Sequence, residues 1–179
     1  MLRMALIPVF ASLLYYGKYE LALACFAAAA LSDTFDGFVA RRFKQESALG
    51  SIIDPIADKL LMTTAFIMLT MPRPLEPVRH LPIPFWVTAA VIGRDILIIT
   101  SAAAINFMTG FRDFRPSLLG KMSTVVQVIA IALILIASIT HVTIYLPTTY
   151  VIVVFFAVIS GIHYIFQVAG LMKDSENEE

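Results

Sequence analysis

Six long apolar segments dominate this chain and limit what it can fold into. A helix that crosses the hydrocarbon core of a bilayer needs about 20 mostly apolar residues. The segments are predicted at about residues 4–16, 19–43, 49–71, 85–108, 118–139 and 149–172. The first is short for a complete span, whereas the other five are long enough. The pattern predicts an all-α membrane protein with six transmembrane helices.

The links between these segments contain residues that end helices. Proline removes a backbone donor and clashes with the preceding turn, so it rarely continues a helix. The third link, residues 71–84, contains Pro72, Pro74, Pro77, Pro82 and Pro84. Gly110 and Pro116 lie in the fourth link, and Pro147 lies in the fifth. We therefore expect a single transmembrane domain at residues 1–172 and an acidic tail at residues 173–179.

The composition excludes several classes of protein. Hydrophobic residues make up 59% of the chain and charged residues 15%, against roughly 25% charged residues in soluble domains. The formal net charge is +0, so we expect no nucleic-acid partner bound by bulk electrostatics. The single cysteine, Cys25, can form no internal disulfide and is expected to pack as a small apolar residue. We expect no cleavable signal peptide, because only Arg3 precedes the first apolar run and no small-residue cleavage pattern follows it.

The distribution of basic residues predicts the orientation in the membrane. With six helices, both termini and the second and fourth links share one side. The basic residues expected there are Arg3, Arg41, Arg42, Lys44, Arg112, Arg115, Lys121 and Lys173. The other side has Lys18, Arg73 and Arg79. Because cytoplasmic loops carry the excess of Lys and Arg, both termini and these two links are predicted to be cytoplasmic.

Charged residues inside apolar segments are costly, and most of them fall between residues 33 and 59. On the second segment, one stripe at helical spacing contains Asp33, Asp36, Gly37, Ala40 and Arg41. On the third, Gly50, Asp54 and Asp58 form another stripe. The short link makes the segments antiparallel neighbours, so two carboxylates from each are expected to face one another near the cytoplasmic boundary. Pro55 either kinks the third helix or begins it, with Asp54 as the cap.

Four close carboxylates repel one another unless they are protonated or neutralised. Hard divalent cations such as Mg²⁺ take oxygen ligands and commonly lie between carboxylates and phosphates. Two such cations suit displacement at phosphorus, because they neutralise a diphosphate, activate a hydroxyl and stabilise the leaving oxygen. Gly37, Ala40 and Gly50 leave room for a flat or bulky ligand group, and Arg41 can meet a phosphate bidentately.

Two other interpretations of the aspartates remain open. They can form ion pairs with Arg41, Arg42 and Lys59 that only lock helices together. They can also be the transport site of a divalent-cation carrier. Four aspartates on two stripes with small residues between them favour a metal site over ion pairs. A carrier often has inverted repeats and ligands near the midplane, and the sequence shows no repeat.

These residues resemble the signature of the CDP-alcohol phosphotransferase family, D-x2-D-G-x2-A-R-x8-G-x3-D-x3-D. The chain matches every fixed position: Asp33, Asp36, Gly37, Ala40, Arg41, Gly50, Asp54 and Asp58. The resemblance implies that Asp33, Asp36 and Asp54 are ligands of a binuclear Mg²⁺ or Mn²⁺ site. It implies that Asp58 contacts the second metal and takes the proton of the acceptor hydroxyl.

The resemblance also implies the substrates and the setting. Gly37 and Gly50 admit the cytidine group, Arg41 contacts the diphosphate, and Ser47 lies where the family often has a nucleotide-contacting hydroxyl. The implied reaction is attack by an alcohol on the β-phosphorus of CDP-diacylglycerol, which releases CMP. The implied protein is a phospholipid-synthesising homodimer in the lipid bilayer of a bacterial inner membrane, with its active site facing the cytoplasm.

The identity of the acceptor depends on features outside the signature. The stretch at 2–8 (LRMALIP) and the G-K-x-x-T-x-x-Q pattern at 120–127 resemble bacterial phosphatidylglycerophosphate synthases, which implies sn-glycerol 3-phosphate. Gly93-Arg94-Asp95 departs from the A-R-E of those enzymes and is closer to the S-R-D of cardiolipin synthases, which implies phosphatidylglycerol.

Four cations are candidates for binding the acceptor's phosphate: Arg94, Arg112, Arg115 and Lys121. Two have competing interpretations. Arg94 and Asp95 can be a structural ion pair, and Lys121 can be an ordinary cytoplasmic anchor. Relatives also carry a polar N-x-L-T stretch before the first-helix arginine, whereas only two residues precede Arg3 here. Either the true start lies upstream or this contact is missing.

Overall fold

The computed structural model describes the backbone of residues 2–43, 48–71, 81–109 and 118–176. It describes the side-chain surroundings of residues 4–30, 32, 56–71, 81–101 and 118–167. Within these ranges the regular structure is entirely helical. The helices are α1 (Leu2–Tyr15), α2 (Tyr19–Phe43), α3 (Ala48–Thr70), α4 (Phe85–Thr109), α5 (Leu118–Thr140) and α6 (Leu146–Glu176). Each predicted apolar segment corresponds to one helix, which confirms the all-α prediction.

The observed helix bounds differ from the predicted ones by up to four residues. Helix α6 begins at Leu146 and continues to Glu176, so Pro147 belongs to its first turn and not to the preceding link. The first turn tolerates proline because its N–H would have no intrahelical partner there. Helix α3 begins at Ala48 and is continuous through Pro55, so the alternative in which Pro55 starts the helix is wrong.

Two of the described helices are long and apolar enough to cross a bilayer. They are Leu118–Thr140, with a mean hydropathy of 2.5, and Leu146–Gln167, with a mean hydropathy of 2.1. Shorter apolar stretches occur at Met4–Tyr15 and Tyr19–Ala30. The structure therefore supports membrane-crossing helices, and the number of six spans stays a prediction.

One compact unit comprises Met1–Pro84 and Ile131–Leu146. In it α1 packs against both α2 and α3. The rings of Phe10 and Phe26 lie 5.7 Å apart between their centroids, and both side chains are buried. Ala22 and Ala29 are also fully buried. Small residues at a helix interface allow the backbones to approach closely, which is how membrane helices gain packing contacts.

A glycine-centred turn joins α1 to α2. Gly17 has φ 70°, and its N–H donates to the Leu14 carbonyl at 3.2 Å. The N–H of Lys18 donates to the Leu13 carbonyl at 2.9 Å. This pair of bonds is a Schellman cap, which satisfies carbonyls at the helix end and needs a left-handed residue at the position of Gly17.

The other compact unit comprises Phe85–Ala130 and Pro147–Glu179, which are α4, the first half of α5 and α6. Its buried side chains include apolar residues such as Val91 and Val153. The same unit also buries the polar residues Thr88, Arg94, Ser123, Gln127, Thr149 and Ser160. Polar groups in the hydrocarbon region need internal partners, because water is absent there.

Candidate active site

The buried face of α2 is in register with the positions of the first two aspartates. Ala22, Phe26 and Ala29 are buried at alternating spacings of four and three residues. The same helix continues without a break to Phe43. Positions 33 and 36 follow Ala29 by four and seven residues, so they continue the register of that face. The backbone therefore places both positions in line with the packed face of α2.

The same relation holds for α3. Leu61 and Met62, which follow Asp58 by three and four residues, are only 1% and 4% exposed. Ile56 and Leu60, on another face, are 49% and 45% exposed. Asp58 is partly buried, and it has interaction partners, as does Lys59. Asp58 thus lies in line with the packed face of α3.

Most of the predicted site lies outside the described side chains. Helices α2 and α3 carry the positions of Asp33, Asp36, Gly37, Ala40, Arg41, Gly50 and Asp54, but their side chains are outside the described residues. Ser47, Arg112 and Arg115 lie outside them altogether. Whether the aspartates converge stays a prediction.

The chemistry of the predicted donor set fits hard divalent cations. All four candidate ligands are carboxylates, which are the oxygen donors that Mg²⁺ and Mn²⁺ take in proteins. Among the described residues there is no group of three or more His, Cys, Asp or Glu placed to hold a metal. The side chain of Asp58 is among these residues, whereas those of the other three aspartates are not.

A second polar cluster is fully described and is centred on Arg94 of α4. The side chain is 8% exposed. Its Nη1 donates to Asp95 Oδ1 at 2.7 Å. Its Nε and Nη2 donate to Ser160 Oγ at 3.3 and 2.9 Å, and Nη2 also reaches the Gly120 carbonyl at 3.4 Å. The Arg94–Asp95 ion pair weighed from the sequence is therefore present, and the guanidinium also contacts α5 and α6.

Polar residues in the stretch 120–127 make hydrogen bonds within α5. Thr124 Oγ1 donates to the Gly120 carbonyl at 3.2 Å. Gln127 Nε2 donates to Ser123 Oγ at 3.4 Å, and both residues are buried. Lys121 is exposed. The polar residues of the pattern thus hydrogen-bond within the first turns of α5, while its lysine is accessible.

A sequence profile of the family described as CDP-alcohol phosphatidyltransferase matches residues 1–170. This chain belongs to the CDP-alcohol phosphatidyltransferase family. The match covers all six helices except the end of α6, so the family assignment rests on much more than the aspartate signature.

The proteins that are similar to this chain carry two kinds of enzyme name. The human cardiolipin synthase (CMP-forming) is 32% identical over 148 residues, covering 74% of this chain and 46% of that protein. The CDP-diacylglycerol–glycerol-3-phosphate 3-phosphatidyltransferase of Escherichia coli K12 is 33% identical over 140 residues, covering 74% of this chain and 71% of that protein.

A probable phosphatidylglycerophosphate synthase of Mycobacterium tuberculosis is 35% identical over 140 residues, covering 74% of this chain and 61% of that protein. The chain thus spans about half the length of the human cardiolipin synthase and more of the bacterial proteins. The two kinds of enzyme that the sequence resembles outside the signature, phosphatidylglycerophosphate synthase and cardiolipin synthase, are thus both represented among these relatives.

Sequence reasoning missed one member of the Arg94 cluster. Ser160 is 1% exposed and accepts two hydrogen bonds from Arg94. A lone serine in an apolar helix is common, so Ser160 carried little signal by itself. The available signal was Arg94: an ionisable residue in a membrane segment needs partners, and the polar residues of the neighbouring helices are the candidates.

Proposed function

We propose that this chain transfers a phosphatidyl group from CDP-diacylglycerol to sn-glycerol 3-phosphate, which gives phosphatidylglycerophosphate and CMP. The observation that carries the proposal is the complete aspartate signature on α2 and α3 in a chain that belongs to the CDP-alcohol phosphatidyltransferase family. The names of the bacterial relatives support the acceptor.

In the proposed site, Asp33, Asp36, Asp54 and Asp58 hold two divalent cations, Mg²⁺ or Mn²⁺. When bound, the cations supply positive charge that neutralises the diphosphate and its leaving oxygen. Asp58 accepts the proton of the acceptor hydroxyl as that oxygen bonds to the β-phosphorus and the bond to CMP breaks. The partial exposure of Asp58 supports this role, because a general base must be within reach of its substrate.

The CDP-lipid would be bound beside these aspartates. Gly37, Ala40 and Gly50 leave space for the cytidine group, and Arg41 contacts the diphosphate. Ser47 supplies a hydroxyl to the nucleotide. A guanidinium suits a diphosphate because its planar fork can donate two parallel hydrogen bonds.

The acceptor's phosphate requires cations, and we assign Lys121, Arg112 and Arg115 to it, with Arg94 in support. Lys121 is exposed in the first turn of α5, where its ammonium group is accessible to a ligand. A second candidate function is cardiolipin synthesis with phosphatidylglycerol as the acceptor. The observations that favour it are Gly93-Arg94-Asp95 and the similarity to human cardiolipin synthase.

The proposed architecture is one catalytic domain, residues 1–172, with six transmembrane helices. Both termini, the active site and the acidic tail at 173–179 face the cytoplasm, and the enzyme is a homodimer in a bacterial inner membrane. The excess of Lys and Arg near the termini and in the second and fourth links supports this orientation.

The test is CMP release from CDP-diacylglycerol by the purified full-length chain, with one acceptor at a time and with Mg²⁺, Mn²⁺ or EDTA. We expect CMP with glycerol 3-phosphate and a divalent cation, and none with EDTA. CMP with phosphatidylglycerol alone would replace the proposed acceptor by the second candidate. The absence of CMP with every acceptor would refute the enzymatic proposal.

A further inference from the structure

We infer that Arg94 is a positioning residue: through Ser160 and Gly120 it holds the first turn of α5, and thereby places Lys121 for the phosphate of the acceptor. This inference rests on the proposed function and deepens it. It assigns the direct phosphate contact to Lys121 and an indirect role to the buried cluster of Arg94, Asp95 and Ser160.

The guanidinium of Arg94 is hydrogen-bonded within the protein. Each of its nitrogens already has an acceptor: Nη1 has Asp95 Oδ1 at 2.7 Å, Nε has Ser160 Oγ at 3.3 Å, and Nη2 has Ser160 Oγ at 2.9 Å. The side chain is 8% exposed. A buried cation with every nitrogen engaged would have to abandon these partners to bind a diffusing phosphate, and that exchange is costly in an apolar region.

A hydrogen bond also links Arg94 to the backbone of α5. Nη2 reaches the Gly120 carbonyl at 3.4 Å, a distance at the long end of the range, since such bonds are typically about 2.9 to 3.0 Å. The same carbonyl accepts Thr124 Oγ1 at 3.2 Å. Gly120 is in the first turn of α5, and Lys121 is its neighbour in the chain. A cation against this carbonyl therefore constrains the backbone that carries Lys121.

Helix α6 holds the guanidinium through Ser160. Ser160 is 1% exposed, and its Oγ accepts from both Nε and Nη2 of Arg94. Gly161 lies beside it, where an added Cβ would stand 3.9 Å from Arg94 Cγ. The serine therefore fixes the plane of the guanidinium, while the adjacent glycine lies along the arginine stem. Removing the hydroxyl should loosen Arg94 without removing any charge.

The experiment is a double-mutant cycle on the full-length enzyme. KM for glycerol 3-phosphate, KM for CDP-diacylglycerol and kcat are measured for the wild type, Ser160→Ala, Lys121→Ala and the double variant. If Ser160 acts through Lys121, Ser160→Ala raises the acceptor KM about fivefold, and changes kcat and the CDP-diacylglycerol KM by less than about twofold. In the Lys121→Ala background, Ser160→Ala should have less than about a twofold further effect.

Two further variants make the cycle interpretable. Ser138→Ala removes another buried hydroxyl, one that donates within its own helix to the Ile134 carbonyl at 2.9 Å. We expect it to leave both KM values unchanged. Ser160→Cys keeps the shape of the side chain but offers Arg94 a weaker acceptor. It should raise the acceptor KM in the same direction as Ser160→Ala, so the test does not depend on the folding of one variant.

A merely structural role for the cluster predicts a different result. Ser160→Ala would then impair kcat and both KM values together, or would multiply the effect of Lys121→Ala, and either outcome overturns the inference. If the wild type turns over and the effects of the two single variants on the acceptor KM are additive in free energy, the proposed function stands and only the positioning role is removed. If phosphatidylglycerol is the acceptor, the KM for phosphatidylglycerol is measured in the same double-mutant cycle. The absence of CMP with either acceptor overturns both proposals.

Discussion

At the scale of single residues, Asp58 connects the sequence prediction to the described structure. The resemblance to the family signature implies that Asp58 contacts a metal and accepts a proton. In the register of α3, Asp58 lies three and four residues before Leu61 and Met62, which are buried. An aspartate at the edge of a packed helix face is costly unless its charge is neutralised. Its position therefore suits the proposed role, in which the Asp58 carboxylate binds a metal and accepts a proton.

We predict that Asp58→Asn lowers turnover by at least about a hundredfold, because the amide cannot take the proton of the acceptor hydroxyl. Metal binding should be retained in part, since three carboxylates remain. CMP release and Mn²⁺ binding measure the two effects. Asp174→Asn, in the acidic tail, is the matched control and should behave as wild type. Near-normal turnover of Asp58→Asn would remove Asp58 as the base.

A second residue-scale prediction concerns Gly93, which precedes Arg94 in α4. An added Cβ at this position would meet nothing within 4 Å. Alanine costs less backbone entropy than glycine in a helix, so Gly93→Ala should raise the free energy of unfolding by about 0.5–1 kcal/mol. Thermal unfolding in detergent measures the change. We expect the acceptor preference to stay the same; a switch of acceptor would show that this position determines specificity.

Some candidate site residues could be singled out from the sequence and others could not, for a physical reason. Asp33, Asp36, Asp54 and Asp58 are conspicuous because charge inside an apolar segment demands an explanation. Ser160 is not conspicuous, because its role depends on Arg94, which lies 66 residues away in the chain. Such a partnership is set by helix packing, and local spacing carries no information about it.

At the scale of elements, the helices could be predicted closely and their ends less well. The predicted and observed bounds of α2 coincide at Tyr19–Phe43. The start of the helix could be predicted because Gly17 and Lys18 separate the apolar run of α1 from that of α2. Helix α6 exceeds its predicted bounds at both ends. Pro147 suggests a link when hydropathy alone is considered, yet proline is accommodated in a first helical turn. The polar residues up to Glu176 extend the helix past its apolar part.

The turn between α1 and α2 gives an element-scale prediction. Gly17 has φ 70° and completes the Schellman cap of α1. A Cβ in the left-handed region costs roughly 1–2 kcal/mol, so Gly17→Ala should lower the free energy of unfolding by about that amount. Gly93→Ala is the natural comparison, because the same substitution should there act in the opposite direction. Changes of the same sign at both positions would contradict this account of the turn.

At the scale of the whole molecule, the orientation in the membrane is the prediction that most needs a direct test. In a Cys25→Ala background, Lys18→Cys and Val142→Cys lie in the first and fifth links, and both native side chains are exposed. They should react with a membrane-impermeant thiol reagent from outside the cell. Asp174→Cys should react only after the inner face becomes accessible. The reverse pattern would invert the proposed topology, and the active site with it.

The central claim is that an acceptor hydroxyl displaces CMP from the β-phosphorus of CDP-diacylglycerol. Glycerol 3-phosphate labelled with ¹⁸O in its 1-hydroxyl tests this directly, when the full-length enzyme is supplied with a divalent cation and the products are analysed by mass spectrometry. The account predicts one ¹⁸O in each phosphatidylglycerophosphate molecule and none in CMP. Label in a cytidine-containing product, or CMP formed without labelled lipid, would contradict it.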